Sequence, residues 1–358
     1  MVKFNLGICS LICFLQPQVL NSRSVHRKID PLLPSITVSS LKNSSQTYTL
    51  TDSHLRKFPL FEAYNEKYLF SKWLPKTKIS YRYEPHKVVK GTKLMELMNE
   101  LVKEVKEGKV KFKNFIVLKK KDFNFETKCG LIILKFKDYP FVVKLFIEHP
   151  QSIVRPYSKG LFPMGMFMVG GSNRHFNGFT RIKNLENLQK QIQACPKWAE
   201  KISFPRKWFW IPEDSDWIQV QGKKLANQDL VGKFPACYAI VADEMKVSKD
   251  QSSKTSKQVL DLCNCLKFSI DPHFNNFMIE EGTGKIALYD TEHFPTLIGK
   301  YGSEFRYTQK YPGWYTRLVR KVMKERVFSA KPSRLKRQLP GSAYPLYTYD
   351  MPKTQAPS

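Results

Sequence analysis

Between Phe115 and Phe146 the chain runs through three short stretches of β-branched and aromatic residues: Phe115-Ile116-Val117-Leu118, Leu131-Ile132-Ile133-Leu134 and Phe141-Val142-Val143-Lys144-Leu145-Phe146. Runs of this length and type favour strands, and Asp138-Tyr139-Pro140 separates the last two as a turn does. Three antiparallel strands need a layer over their apolar face. The segment just before them supplies one: Leu94, Met98, Leu101, Val102 and Val105 fall at helical spacing, with Thr92 as the expected cap and Gly108 as the stop. Further on, Leu185, Leu188 and Ile192 mark a second helix. Trp208 to Val220 and Cys237 to Ala242 read as two strands. Val259, Leu262, Cys263 and Leu266 mark a third helix, after the polar stretch Ser248 to Gln258. The expected class is α+β.

The length of 358 residues allows two domains, or one bilobed domain with extensions, and 42% hydrophobic residues exclude a wholly disordered chain. Lys and Arg total 59 against 31 Asp and Glu, a net charge of +28. That balance points to polyanionic partners: nucleic acid, a lipid surface or phosphorylated ligands. The basic runs Lys119-Lys120-Lys121 and Lys331 to Arg337 serve solubility equally well. The tail run has no interleaved aromatics for stacking, so weak, salt-sensitive contact with an anionic surface or nucleic acid is expected.

Met1 to Lys3 followed by the apolar run Phe4 to Leu15 reads either as a secretory signal over residues 1–22, implying export, or as an apolar helix packed on a cytoplasmic domain. The run is too short to span a bilayer, which needs about 20 apolar residues. Residues 23–90 read as a linker and N-terminal extension, 91–245 and 246–329 as two lobes, and 330–358 as a disordered basic tail. Beyond Cys9 and Cys13, five cysteines remain with no C-x-x-C pair, so they are expected as small apolar residues.

The segment Ser269 to Phe294 carries the chemistry. Phe277-Met278-Ile279 and Ile286-Ala287-Leu288-Tyr289 flank a turn holding Gly282 and Gly284, which makes a β-hairpin. A turn centred on Thr283 places Asn276 opposite Asp290. An amide oxygen and a carboxylate side by side suit Mg²⁺, which takes one or two protein carboxylates and leaves the rest to water and phosphate. Asp271 sits in the loop entering the hairpin, where a base for a substrate hydroxyl is wanted.

Asp271-Pro272-His273-Phe274-Asn275-Asn276 fits D-x-H-x-x-N and resembles the catalytic loop of the aminoglycoside phosphotransferase and choline kinase branch of the protein-kinase-like superfamily. Asp290-Thr291-Glu292 resembles the metal-binding Asp-x-Glu that follows it there. The resemblance covers roughly residues 111–294. It implies a bilobed kinase-like fold, with an antiparallel sheet in the first lobe and a reduced helical second lobe. It implies transfer of the γ-phosphate of ATP to a hydroxyl of an unspecified acceptor. Asp271 would be the catalytic base, and Asn276 and Asp290 the Mg²⁺ ligands. Lys144 would contact the nucleotide phosphates with Glu186 as its partner, and Tyr238 to Met245 would hold adenine through backbone groups. The chain departs from the family in lacking G-x-G-x-x-G between Phe115 and Lys144. It also has no recognisable activation segment.

Two other functions use the same residues. An inactive kinase-like module would bind partners or anionic surfaces. A metal-dependent hydrolase would draw on His273, Asp271, Asp290 and His293.

Overall fold

The computed structural model describes residues 34–43, 46–51, 66–120, 122–154, 174–225, 228–248, 256–272 and 274–298. The expected signal segment, the basic tail and His273 lie outside the described residues. In chain order the elements begin with β1 (Ser35–Ser40), β2 (Thr47–Thr51), α1 (Glu66–Ser71), β3 (Lys78–Ser80), β4 (Val88–Lys90) and α2 (Gly91–Lys106). The central part holds β5 (Phe115–Lys119), β6 (Phe123–Asn124), β7 (Cys129–Phe136), β8 (Phe141–Ile147), α3 (Pro150–Val154), α4 (Arg174–Gly178), α5 (Thr180–Gln193) and α6 (Pro196–Ala199). Next come β9 (Ile202–Ser203), β10 (Lys207–Trp210), β11 (Trp217–Leu225), β12 (Gln228–Pro235), β13 (Cys237–Asp243) and α7 (Ser256–Cys265). A 3-10 turn (Phe274–Asn276), β14 (Met278–Ile279), β15 (Ile286–Ala287) and α8 (Phe294–Ile298) complete the series.

The molecule is a mixed α+β structure built on an antiparallel sheet in the order β10-β13-β8-β7-β5, with β6 paired to β7. A second sheet runs β12-β11-β1-β2. Side chains alternate between the faces of a strand, so β8 presents Phe141, Val143 and Leu145 to one side and Val142, Lys144 and Phe146 to the other. On the first side α2 buries Leu94, Met98, Leu101, Val102 and Val105 against the strands, as its spacing predicts. On the second side Phe146, Tyr238 and Ile240 pack with Phe176, Phe179 and Ile182 and with the second sheet's Ile36, Val38, Ile218 and Phe234. A third cluster joins Leu188 and Ile192 of α5 to Trp198, Val259, Leu262, Ile270, Phe277, Leu288 and Phe294.

Several elements differ from expectation. Part of the supposed linker forms β1 and β2. The alternation Ile36, Val38, Ser40 is inward-facing, and Ile36 and Val38 join the second core, which a Ser/Thr-rich composition hides. Trp208 to Val220 is two strands, because a turn in which Ser215 N donates to Pro212 O at 3.0 Å interrupts it. Helix α2 begins one residue early with no side-chain cap. Its first N–H, that of Gly91, donates instead to Thr77 O at 2.8 Å. A Cβ on Gly91 would lie 1.6 Å from Pro75 O, so only glycine permits that approach.

The cysteines also require a correction. Cys195 and Cys265 form a disulfide with Cα atoms 6.6 Å apart and a sequence separation of 70. The third core packs α6 against the end of α7, a proximity that sequence spacing does not disclose.

Candidate functional site

Lys144 lies in the middle of β8, paired with Ile240 of β13 on one side and Ile133 of β7 on the other. Its amine points into the interior and meets Asp290 Oδ1 at 2.9 Å. The Lys144 side chain is 12% exposed and that of Asp290 26%, so the pair sits at the mouth of a buried group. Behind it stands Arg181, 2% exposed, whose Nη1 donates to Asp290 Oδ1 and whose Nη2 lies 2.8 Å from Glu292 Oε1. Lys207 of β10 completes the cluster, its Nζ donating to Thr291 Oγ1 at 2.6 Å.

Three cations and two carboxylates thus share a largely dehydrated volume, and their ionisation reflects it. Burial pushes the Lys144 amine down to about 8, with Arg181 adding to the effect and Asp290 opposing it. Burial, reinforced by Lys144, drives Lys207 further below the ordinary lysine range. For Asp290, burial favours the neutral acid, yet Arg181, Lys144 and Lys207 outweigh it and hold the carboxyl well below the usual carboxylate range.

The loop that carries Asp271 is tied to the same place by α5. Asn184 Nδ2 donates to Ser269 O at 2.8 Å and to Thr291 O at 3.1 Å, so one amide bridges the entry to the loop and the Asp290 segment. Thr291 Oγ1 donates to Arg181 O at 2.5 Å, and His293 N donates to Thr180 Oγ1 at 3.1 Å. Within the loop, Asn276 Nδ2 donates to Asp271 O at 3.0 Å.

The hairpin exists, but one residue out of the expected register. Met278 faces Ala287 and Ile279 faces Ile286. Gly282 and Gly284 take φ of +79° and +67°, which sets the turn. Asn276 lies in the 3-10 turn before β14, so it does not face Asp290 across a strand pair. The two-residue strands are too short to carry the ladder to the hairpin's open end. In donor chemistry the two residues still fit Mg²⁺. Asn276 Oδ1 and Asp290 Oδ2 accept no hydrogen bond among the described residues, and both are hard oxygens.

Glu186 is not brought to Lys144. It pairs with Lys72 Nζ at 2.7 Å, with both side chains about a third exposed. It lies off the buried stripe of α5 formed by Arg181, Leu185, Leu188 and Ile192. His293 is turned away from metal chemistry, its Nδ1 sharing a hydrogen bond of 2.6 Å with Thr296 Oγ1. Among the described residues no three His, Cys, Asp or Glu side chains converge as ligands. The backbone after β13 is partly engaged: Glu244 N donates to Pro140 O at 2.9 Å and Lys246 N to Tyr83 Oη at 3.0 Å.

Arg181, Asn184 and Lys207 are the residues that sequence reasoning misses. Arg181 had a legible signal, because it stands four, seven and eleven residues before Leu185, Leu188 and Ile192 on the apolar stripe of α5. A charged residue on a buried stripe needs partners. Lys207 had none, standing before Trp208 as a strand-edge lysine would.

No helix among the described residues is long and apolar enough to cross a membrane. Compared with known proteins, the chain matches no family model, no curated protein and no solved structure.

Proposed function

We propose that the chain is an ATP-dependent phosphotransferase of kinase-like organisation, moving the γ-phosphate to a hydroxyl of an acceptor. The observation that carries this reading is the ion pair between the strand amine of Lys144 and Asp290 of the hairpin, 2.9 Å apart. The order of elements supports it: β8 with its lysine, α5, β10, β13, α7, the Asp271 loop and the hairpin follow one another as the resemblance implies. The face of the large sheet beside Lys144 offers half-buried apolar surface from Val142 and Ile133, suited to a flat base. In this reading Lys144 binds nucleotide phosphate and Asp271 takes the proton of the acceptor hydroxyl. Asn276 and Asp290 would hold Mg²⁺, which supplies charge neutralisation when bound. The protein's own contribution is positioning, because Asn184 and Asn276 tie the Asp271 loop to α5 and to itself.

One observation favours the inactive module as the second reading. Asp290 Oδ1 is shared between Lys144 and Arg181, which neutralises a carboxylate that an active site spends on metal. The two separate on nucleotide binding and on transfer to water, measured for the unaltered chain, Asp271→Ala and Lys144→Ala. The enzyme reading expects Asp271→Ala to bind ATP and lose transfer, while Lys144→Ala weakens both. ATP binding without any transfer, equal in all three proteins, would leave only the second.

A further inference from the structure

We propose that Arg181 is the positioning residue of this site: it holds Asp290 through Oδ1 and ties it to Glu292, which leaves Oδ2 for a nucleotide–metal complex. The proposal rests on the phosphotransferase reading and adds to it a residue for which the resemblance offers no counterpart.

Arg181 alone among the described residues pairs with both carboxylates of Asp290-Thr291-Glu292. The planar guanidinium does this with two different nitrogens, a geometry that a lysine amine cannot reproduce at both carboxylates. At 2% exposure it is shielded from any ligand arriving from solvent, so its action on a ligand passes through Asp290. Its position is itself fixed from several sides. Phe146 lies beneath the guanidinium with the ring centroid 5.8 Å away, and the carbonyl of Arg181 accepts from Thr291 Oγ1. One turn on, Asn184 holds Ser269 O and Thr291 O.

The ionised groups that face Asp290 are Arg181 from α5, Lys144 from β8 and Lys207 from β10, with Glu292 on its own segment. The Arg181 contact holds Oδ1 and leaves Oδ2 without a hydrogen bond among the described residues.

The test is titration of the full chain with ADP in the presence and absence of Mn²⁺ for the unaltered protein, R181K and the double variant R181M/E292M. The double variant removes one buried cation and one buried anion together, which limits the cost to folding. The expected result is a loss of about 10- to 100-fold in Mn²⁺-dependent ADP affinity in both variants, the size of effect seen when groups supporting a metal ligand are removed. Metal-free ADP binding should change less. A merely structural role would lower the melting temperature without separating the Mn²⁺-dependent from the metal-free ADP affinity. Mn²⁺-dependent affinity in R181K within about twofold of the unaltered chain overturns the proposal, and it does so even where the double variant fails to fold. Absence of any ADP binding in the unaltered chain overturns the phosphotransferase reading and this proposal with it, whereas ADP binding that ignores Mn²⁺ overturns the proposal alone.

Discussion

The amine of Lys144 and the carboxylate of Asp290 meet at 2.9 Å, one from the middle of the large sheet and the other from the end of the hairpin. Neither element holds its residue there alone. The lysine is aimed by the alternation of β8, and the aspartate by Arg181 and by the Asn184 bridge behind it.

The first prediction concerns the charge on Lys144. Its folded pKa of about 8 lies below the ordinary 10.5, so the fold disfavours the charged amine. The penalty is complete below pH 8 and is relieved as pH rises toward 10.5, so this group makes stability increase with pH across that window. Anion binding runs the other way, strongest below pH 8 and weaker above it. Lys144→Met should flatten both dependences, read by melting curves and by ADP titration between pH 7 and about 10. An unchanged slope in Lys144→Met would show that another group titrates there.

A second prediction follows from Glu186. Its partner is Lys72 at the surface, so Glu186→Gln should leave nucleotide binding and transfer as they are. The cost to stability should be below about 1 kcal/mol, as for exposed ion pairs. A tenfold loss of nucleotide affinity would restore it as the partner of Lys144.

Glu148, at the start of the turn into α3, gives a third. It is 5% exposed, and burial raises its carboxyl to about 7 although Ser152 Oγ donates to it. The fold therefore prefers the neutral acid. Stability from this group is fully present below pH 4.5 and is lost as pH rises through 7. Glu148→Gln keeps the acceptor without the charge. It should raise stability by on the order of 2 kcal/mol at pH 8 and change little at pH 4, measured by urea unfolding. Equal effects at both pH values would contradict the assignment.

The disulfide supplies the fourth. Reduction, or Cys265→Ser, should lower stability by about 2–4 kcal/mol, because the closed loop is long. Alkylation of the unfolded, unreduced chain should leave Cys195 and Cys265 unmodified while Cys129, Cys237 and Cys263 react. Labelling of all five would remove the bridge from the structure.

The sequence discloses the local elements well and the long-range partners poorly. The helix over 91–106 and the strands from Phe115 to Ile147 follow from period alone, since each buries one face against a neighbour close in the chain. The strands β1 and β2 escape notice because the other partner of β1, β11, is more than 170 residues away, and Ser and Thr alternate with only two inward aliphatic residues. At the site, Lys144 and Asp290 were legible because an ionisable residue in or beside an apolar run has to be explained. Glu186 misleads because its helical phase differs: the buried stripe of α5 passes through Arg181, Leu185, Leu188 and Ile192, and position 186 is turned from it. The pairing of Asn276 with Asp290 fails through a one-residue slip of register, which sequence cannot fix in a hairpin whose strands are two residues long.

Helix α5 belongs to two hydrophobic clusters at once, adjoining Phe179 and contributing Ile182 to one, and Leu188 and Ile192 to the other. It is a common axle. A rotation that relieved crowding at one end would swing Arg181 and Asn184 at the middle and unseat side chains at the other. The unit around the Asp271 loop therefore cannot loosen privately: its melting is coupled to that of the large sheet, and the chain should lose both in a single transition.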